Sequence, residues 1–190
     1  MTTVEFREFS SIARLSREMV VTEKIDGTNA QVHVTEDGQV LAGSRNRWIT
    51  PEADNFNFAR WVKENEEELR QLGPGSHYGE WWGSGIQRGY GLEKGEKRFS
   101  LFNVARWADE RDRDKYPADR PACSSVVPIL HRGLFDTAVV NAQLTLLGAV
   151  GSQAAPGFMR PEGVVVFHAA SGQLFKKTLD KNDGHKGGVA

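Results

Sequence analysis

A single cysteine, Cys123, stands in a chain of 190 residues. One thiol supports neither an internal disulfide framework nor a zinc site built from several thiolates. Long apolar runs are also missing: none approaches the roughly 20 residues that cross a bilayer. The first ten residues carry Glu5, Arg7 and Glu8 and no apolar core. They do not read as a secretory signal, so the expected location is the cytoplasm, with no membrane partner. An excess of one charge is absent too, since 24 Lys and Arg face 25 Asp and Glu. That balance argues against a surface built throughout to bind polyanions and leaves a local basic cleft as the only route to nucleic acid. Neither a low-complexity tract nor an internal repeat is found. What is present is 39% hydrophobic residues, enough at this length for one buried core and a single domain over residues 1–190.

Periodicity places the elements. Met19-Val20-Val21 reads as a strand, and Gln31 to Thr35 alternates polar and β-branched residues as a half-buried strand does. Glu36-Asp37-Gly38 then turns the chain into Gln39 to Ala42, giving a hairpin. Asn55 is placed to cap a helix to about Leu72, with Phe58, Trp61, Val62 and Leu69 on one face. His77 to Trp82 and Arg98 to Val104 read as strands around a glycine-rich stretch, Gly83 to Lys97, expected to be a mobile surface loop. The charged segment Arg106 to Arg120 is expected at the surface. Val126 to Leu130 reads as a short strand, and Asp136 caps a helix through about Ala149. Gly163 to Phe167 is a buried strand, and Gln173 to Thr178 pairs back on it across Ser171-Gly172. The end from Asp180 is expected to fray. Strand pairs interspersed with helices, without a βαβ beat, make the fold class α+β.

Some chemistry-bearing residue types form no pattern. The five histidines show no metal spacing, and Cys123 reads as a loop thiol. Gly83-x-Gly85 and Gly89-x-Gly91 lack the Gly-Lys-Ser/Thr that closes a phosphate loop of the Walker kind. Trp48, Trp61, Trp81, Trp82 and Trp107 are expected to pack rather than to stack on bases. Glu66 to Glu68 is read as a solvated helix face.

One ordered set of residues does form a pattern. Lys24-Ile25-Asp26-Gly27-Thr28-Asn29 follows a strand, and Arg45 comes after the first hairpin. Glu80 sits on an aromatic-rich strand, Phe102 on the next one, Glu162 before a buried strand, and Lys176 on its partner. Glu162 and Lys176 lie on opposite arms of one expected hairpin, so both can face one cleft. This order resembles the covalent nucleotidyltransferase superfamily of ATP-dependent DNA and RNA ligases and capping guanylyltransferases. Lys24 to Gly27 looks like its Lys-x-Asp-Gly nucleophile motif. Within that superfamily, Lys24 to Asn29 is similar to the Lys-Ile-x-Gly-Thr-Asn signature of the RNA ligases typified by the phage enzyme that seals nicks in duplex RNA. The likeness runs from Lys24 to Lys176.

The resemblance implies antiparallel sheets around an ATP cleft, and an ATP-dependent RNA ligase-like enzyme. Lys24 would attack the α-phosphorus of ATP, expel pyrophosphate and hold AMP as a phosphoramidate, splitting one hard step into easier ones. A free lysine, with a pKa of about 10.4, is protonated at neutral pH. Lys176, Arg45 and bound Mg²⁺ would disfavour that charged form and stabilise the transition state. By the same resemblance, Glu23, Lys24, Asn29, Arg45, Glu80, Phe102, Glu162 and Lys176 form the ATP site. Glu162 would hold the metal, Mg²⁺ or alternatively Mn²⁺. Glu80 would meet the ribose hydroxyls, Phe102 the adenine, and Arg45 and Lys176 the phosphates. Asn29 would serve later steps, in which AMP passes to a 5′-phosphate end and a 3′-hydroxyl displaces it. Gln87, Arg88, Tyr90 and Lys94 are candidate contacts to the nucleic acid backbone.

Three departures from the pattern leave rivals in play. About a dozen residues follow Lys177, so no C-terminal OB-fold or helical appendage is expected, and a partner protein would have to supply one. The fifth motif, usually Lys-x-Lys, reads Lys176-Lys177-Thr178, and alternation along a strand puts Lys177 on the face opposite Lys176. Asp26 moves the first motif toward the DNA ligase form. A DNA nick ligase, a guanylyltransferase and a non-sealing module that binds nucleotide or RNA ends therefore remain alternatives.

Overall fold

The computed structural model describes residues 5–108 and 120–180. Among the described residues, ten strands form two sheets. The smaller one has the order β10-β9-β1-β8, from β1 (Glu18–Lys24), β8 (Ile129–Leu134), β9 (Gly163–His168) and β10 (Gln173–Thr178). The larger one has the order β4-β3-β2-β5-β6-β7. Its strands are β2 (Thr28–Val34), β3 (Val40–Ser44), β4 (Trp48–Ile49), β5 (Gly75–Gly83), β6 (Lys97–Leu101) and β7 (Ser124–Val126). All neighbouring pairs are antiparallel except β6 and β7. The α+β class expected from the sequence is the class observed.

Period-two burial explains the layering. On β1, Met19 and Val21 face away from the cleft and join Val164 and Val166 of β9 beneath Val140 and Leu147 of α4 (Thr137–Val150). On the larger sheet, Ala30, Val32, Val34, Trp81, Phe99 and Leu101 pack against Phe58, Ala59, Val62 and Leu69 of α1 (Phe58–Glu64) and α2 (Glu66–Leu69). The two inner faces are joined by a third cluster of Ile25, Trp82, Tyr90, Val104, Val127 and Ala155. It plugs one end of the space between the sheets. The chain crosses from the small sheet to the large one at Ile25–Gly27, so the residues around Lys24 sit where the layers meet.

Several local expectations change. The helix begun near Asn55 is broken: α1 ends at Asn65, whose side chain donates back to the Trp61 carbonyl at 2.8 Å. Its cap is Asp54, which accepts from the N–H groups of Ala59 and Arg60, while Asn55 donates to Thr28 Oγ1. The strand near Val126 to Leu130 is two strands parted by Val127-Pro128, because proline has no N–H for a ladder. Strand β6 stops at Leu101, and Asn103 caps the short α3 (Val104–Trp107). Gly83 to Lys97 is no free loop: Ile86 and Tyr90 within it are buried to 0% and 2% exposure. Trp48 does not pack in a core and is 55% exposed. Most of the segment Arg106 to Arg120, and the chain after Asp180, lie outside the described residues. No helix among the described residues is long and apolar enough to cross a membrane.

Candidate active site

Lys24 is the last residue of β1, on the face turned toward the larger sheet. Strand register places it opposite Gly163 of β9, which in turn pairs with Thr178 of β10. Its Nζ donates to Glu162 Oε2 at 2.6 Å, and both side chains are largely covered. Glu162 immediately precedes β9. Gly163 fits there because an added Cβ would lie 2.2 Å from the Lys177 carbonyl, at φ +159°. The close approach of β10 at that point sets Glu162 over the end of β1.

The opposite wall is β5. Glu80 is buried and accepts from the Gly27 N–H at 3.0 Å and from Asn29 Nδ2 at 3.4 Å. Burial pushes its pKa up from 4.5 to about 7. The Lys24 charge and the Gly27 N–H oppose that rise, while Glu162 and Asp26 add repulsion. A carboxylate this dry is costly without a polar partner. Gly27 lies against β5 so closely that a Cβ would meet the Trp81 carbonyl at 2.5 Å.

Asp26 faces a different neighbour. Arg88 Nε donates to Asp26 Oδ2 at 2.9 Å. The same guanidinium reaches the carbonyls of Arg160 and Pro161 at 3.1 and 3.3 Å and Asp180 at 2.6 Å. Arg88 thus ties the nucleophile turn to the residues just before Glu162. Tyr90 supports the same turn, its hydroxyl accepting from the Asp26 N–H at 2.8 Å, and its ring packs against Trp82 and Phe158. Arg88 and Tyr90, read from sequence as contacts for a nucleic acid backbone, are braces of the turn. No local signal could have shown this, because their partners lie 62 and 64 positions away.

The remaining candidates divide. Arg45 follows β3 where the β2–β3 pairing, with Ala30 opposite Ser44, extends to Asn29. Phe102 sits just past β6, its N–H on the Tyr78 carbonyl at 2.9 Å, with its ring 39% exposed. Lys176 pairs with Val165 and through it Thr22, so it shares the cleft face with Lys24 but stays exposed. Lys177 turns the other way and donates to Asn141 of α4 at 2.5 Å. The Glu23 side chain does not open into the cleft. It is 1% exposed and accepts from Ser152 Oγ and the N–H groups of Gln153 and Ala154, anchoring the turn after α4. The Cys123 thiol, pushed up to about 11 chiefly by burial, is no nucleophile at neutral pH.

Among the described residues, no three or more His, Cys, Asp or Glu side chains gather into a metal cage. The cleft instead offers individual carboxylates, Glu162 and Glu80, beside cations. That donor set fits a hard divalent ion that keeps several waters and shares a phosphate ligand.

Two sheets closing over a lysine–carboxylate pair, with helices on their outer faces, define a nucleotidyltransferase-type α+β domain. The family model for RNA ligase matches residues 17–178. The chain belongs to the RNA ligase family. No curated protein matches it. Three solved structures of Naegleria gruberi RNA ligase variants share the fold. An apo form superposes with a TM-score of 0.61 at 20% identity, over 86% of this chain and 50% of that one. A form with ATP and manganese gives 0.60 at 21%, over 86% and 50%. A form with AMP and manganese gives 0.61 at 22%, over 86% and 50%. The chain thus spans about half the length of these relatives.

Proposed function

We propose that this chain is an ATP-dependent RNA ligase that adenylylates itself on Lys24. The observation that carries the reading is the Lys24–Glu162 pair at 2.6 Å, facing Glu80 across the cleft, in a chain of the RNA ligase family. For attack, Nζ exchanges the Glu162 carboxylate for the α-phosphorus of ATP. Nζ first gives one proton to solvent and becomes the neutral amine; a nitrogen–phosphorus bond then forms, the bond to the pyrophosphate oxygen breaks, and a second proton leaves Nζ for solvent. Lys176 and Arg45 orient the triphosphate and balance its charge. Phe102 offers a ring face to adenine, and Glu80 accepts from the ribose hydroxyls. Released from Lys24, Glu162 is the residue that would hold Mg²⁺ or Mn²⁺. Such an ion, when bound, neutralises phosphate charge. AMP then passes to a 5′-phosphate RNA end, Asn29 serving this stage, and a 3′-hydroxyl displaces it. A protein partner, and a place of action in the cytoplasm, belong to this proposal.

The test is intact mass after incubation with Mg²⁺ and ATP, GTP or NAD in parallel, on protein first stripped of AMP by pyrophosphate. An AMP-sized gain with ATP alone, absent in Lys24→Ala, is the expected result. A GMP-sized gain points to a guanylyltransferase. No gain with any nucleotide overturns the reading. Ends of RNA and of DNA, offered next to the charged enzyme, separate an RNA ligase from a DNA nick ligase.

A further inference from the structure

The inner face of the larger sheet does not stop at Glu80. One pleat outward along β5, about 7 Å, lies a row of residues in direct register. Trp48 of β4 pairs with Gly43 of β3, Gly43 with Gln31 of β2, and Gln31 with Tyr78 of β5. Phe102 closes the row by its backbone bond to Tyr78. Nothing in the described structure covers it: Trp48 is 55% and Tyr78 57% exposed. Glycine at position 43 lets the indole lie flat on the sheet, since a Cβ there would be 3.2 Å from the ring. His33 braces the indole edge-on, with ring centroids 5.7 Å apart. Gln31 and His33 are in turn held by Ser76, at 2.8 and 2.9 Å. The row therefore offers fixed π-faces rather than loose side chains.

Two cations flank it. Arg45 and Arg47 rim the row in the turn between β3 and β4, are exposed, and make no ion pair among the described residues. Glu80, one row inward and largely desolvated, is the nearest carboxylate on these strands. Flat aromatics in a line with free guanidiniums beside them meet the needs of a single-stranded polyanion with stacking bases. An apolar protein surface would leave the arginines and the Gln31–Ser76–His33 network without use.

We infer that this row is the docking platform for the single-stranded RNA segment adjoining the end to be joined. Bases stack on Trp48 and Tyr78, and phosphates meet Arg47 and Arg45. The strand then runs inward on the Arg45–Asn29 side of the cleft toward Lys24, beside the AMP held at Glu80 and Phe102. This inference rests on the proposed handling of RNA ends, and its test is separable from that of the chemistry.

The test is equilibrium binding of a labelled 5′-phosphorylated RNA of about ten nucleotides, with AMP transfer from ATP to protein measured in parallel. Trp48→Ala and Tyr78→Ala are each expected to weaken RNA binding at least fivefold while self-adenylylation stays at the wild-type rate. Trp48→Phe, which keeps a ring, should bind within about twofold of wild type, separating lost stacking from lost folding. Arg47→Ala should lower the salt dependence by about one phosphate contact. If both alanine variants bind RNA within twofold of wild type, or the wild type binds none, the platform is overturned even if Lys24 accepts AMP. If Lys24 takes no AMP but both alanine variants lose RNA affinity, the platform stands and the catalytic proposal falls.

Discussion

Replacing Glu80 by glutamine should stabilise the protein, and by an amount that depends on pH. The side chain is 8% exposed, and burial moves its pKa from 4.5 to about 7. The folded state therefore holds this proton more tightly than the unfolded chain does. Between about pH 4.5 and 7 folding takes up a proton, so this group's contribution to stability falls as pH rises and levels off above about 7. At 1.36 kcal/mol per pH unit, the full penalty on the ionised form is about 3 kcal/mol, of which about 2.5 develops between pH 5 and 8. Glutamine cannot ionise. Its Oε1 still accepts from the Gly27 N–H, and Asn29 can turn its amide to accept from Nε2. The gap in stability between Glu80→Gln and wild type should thus widen by about 2.5 kcal/mol from pH 5 to pH 8. For a domain of this size that is roughly 5–10 °C in Tm. Thermal melts of both proteins at the two pH values measure it, and other titrating groups cancel in the difference. An unchanged gap would refute the claim that burial raises the Glu80 pKa to about 7. The same variant should lose adenylylation, a trade of function for stability.

Other expectations follow from the same geometry. Glu162→Gln should lower the adenylylation rate at least tenfold, about 1.4 kcal/mol, at every Mg²⁺ concentration. Its melting point should fall by only a few degrees, because the glutamine Oε1 still accepts from Lys24 Nζ; full rescue by high Mg²⁺ would contradict the role. Arg88→Ala should cost about 1–3 kcal/mol in urea denaturation, and Arg88→Lys should not restore it. A single ammonium cannot reach Asp26, two carbonyls and Asp180 together. Gly27→Ala should cost about 2 kcal/mol or more, since its Cβ would strike the Trp81 carbonyl. A wild-type melting curve for that variant would mean the turn has room that the structure does not show.

The strands were legible because their patterns are local. Alternation marks β2, a continuous apolar run marks β9, and Asp136 marks the start of α4, where its carboxylate accepts from the Ala138 N–H. The break at Asn65 was not legible, since helical periodicity continues through it while the Asn65 side chain takes the Trp61 carbonyl. Of the residues the ordered motifs named, Glu162 pairs with Lys24 and Glu80 lies within reach of its charge. Their spacing could not say that Glu23 turns its carboxylate into the Ser152 loop, or that Arg88 reaches across to Pro161. Both contacts join segments more than 70 positions apart. Trp48 was misread for a related reason: composition makes tryptophan a core residue, and only the pairing with Gly43 lays it on an open sheet face.

The central claim is that Lys24, and no other group, carries AMP. Peptide mapping of the ATP-treated protein tests this directly. The account predicts an acid-labile AMP adduct on the one peptide that contains Lys24. An adduct on Lys176 or Lys177, or AMP that leaves on denaturation, would contradict it.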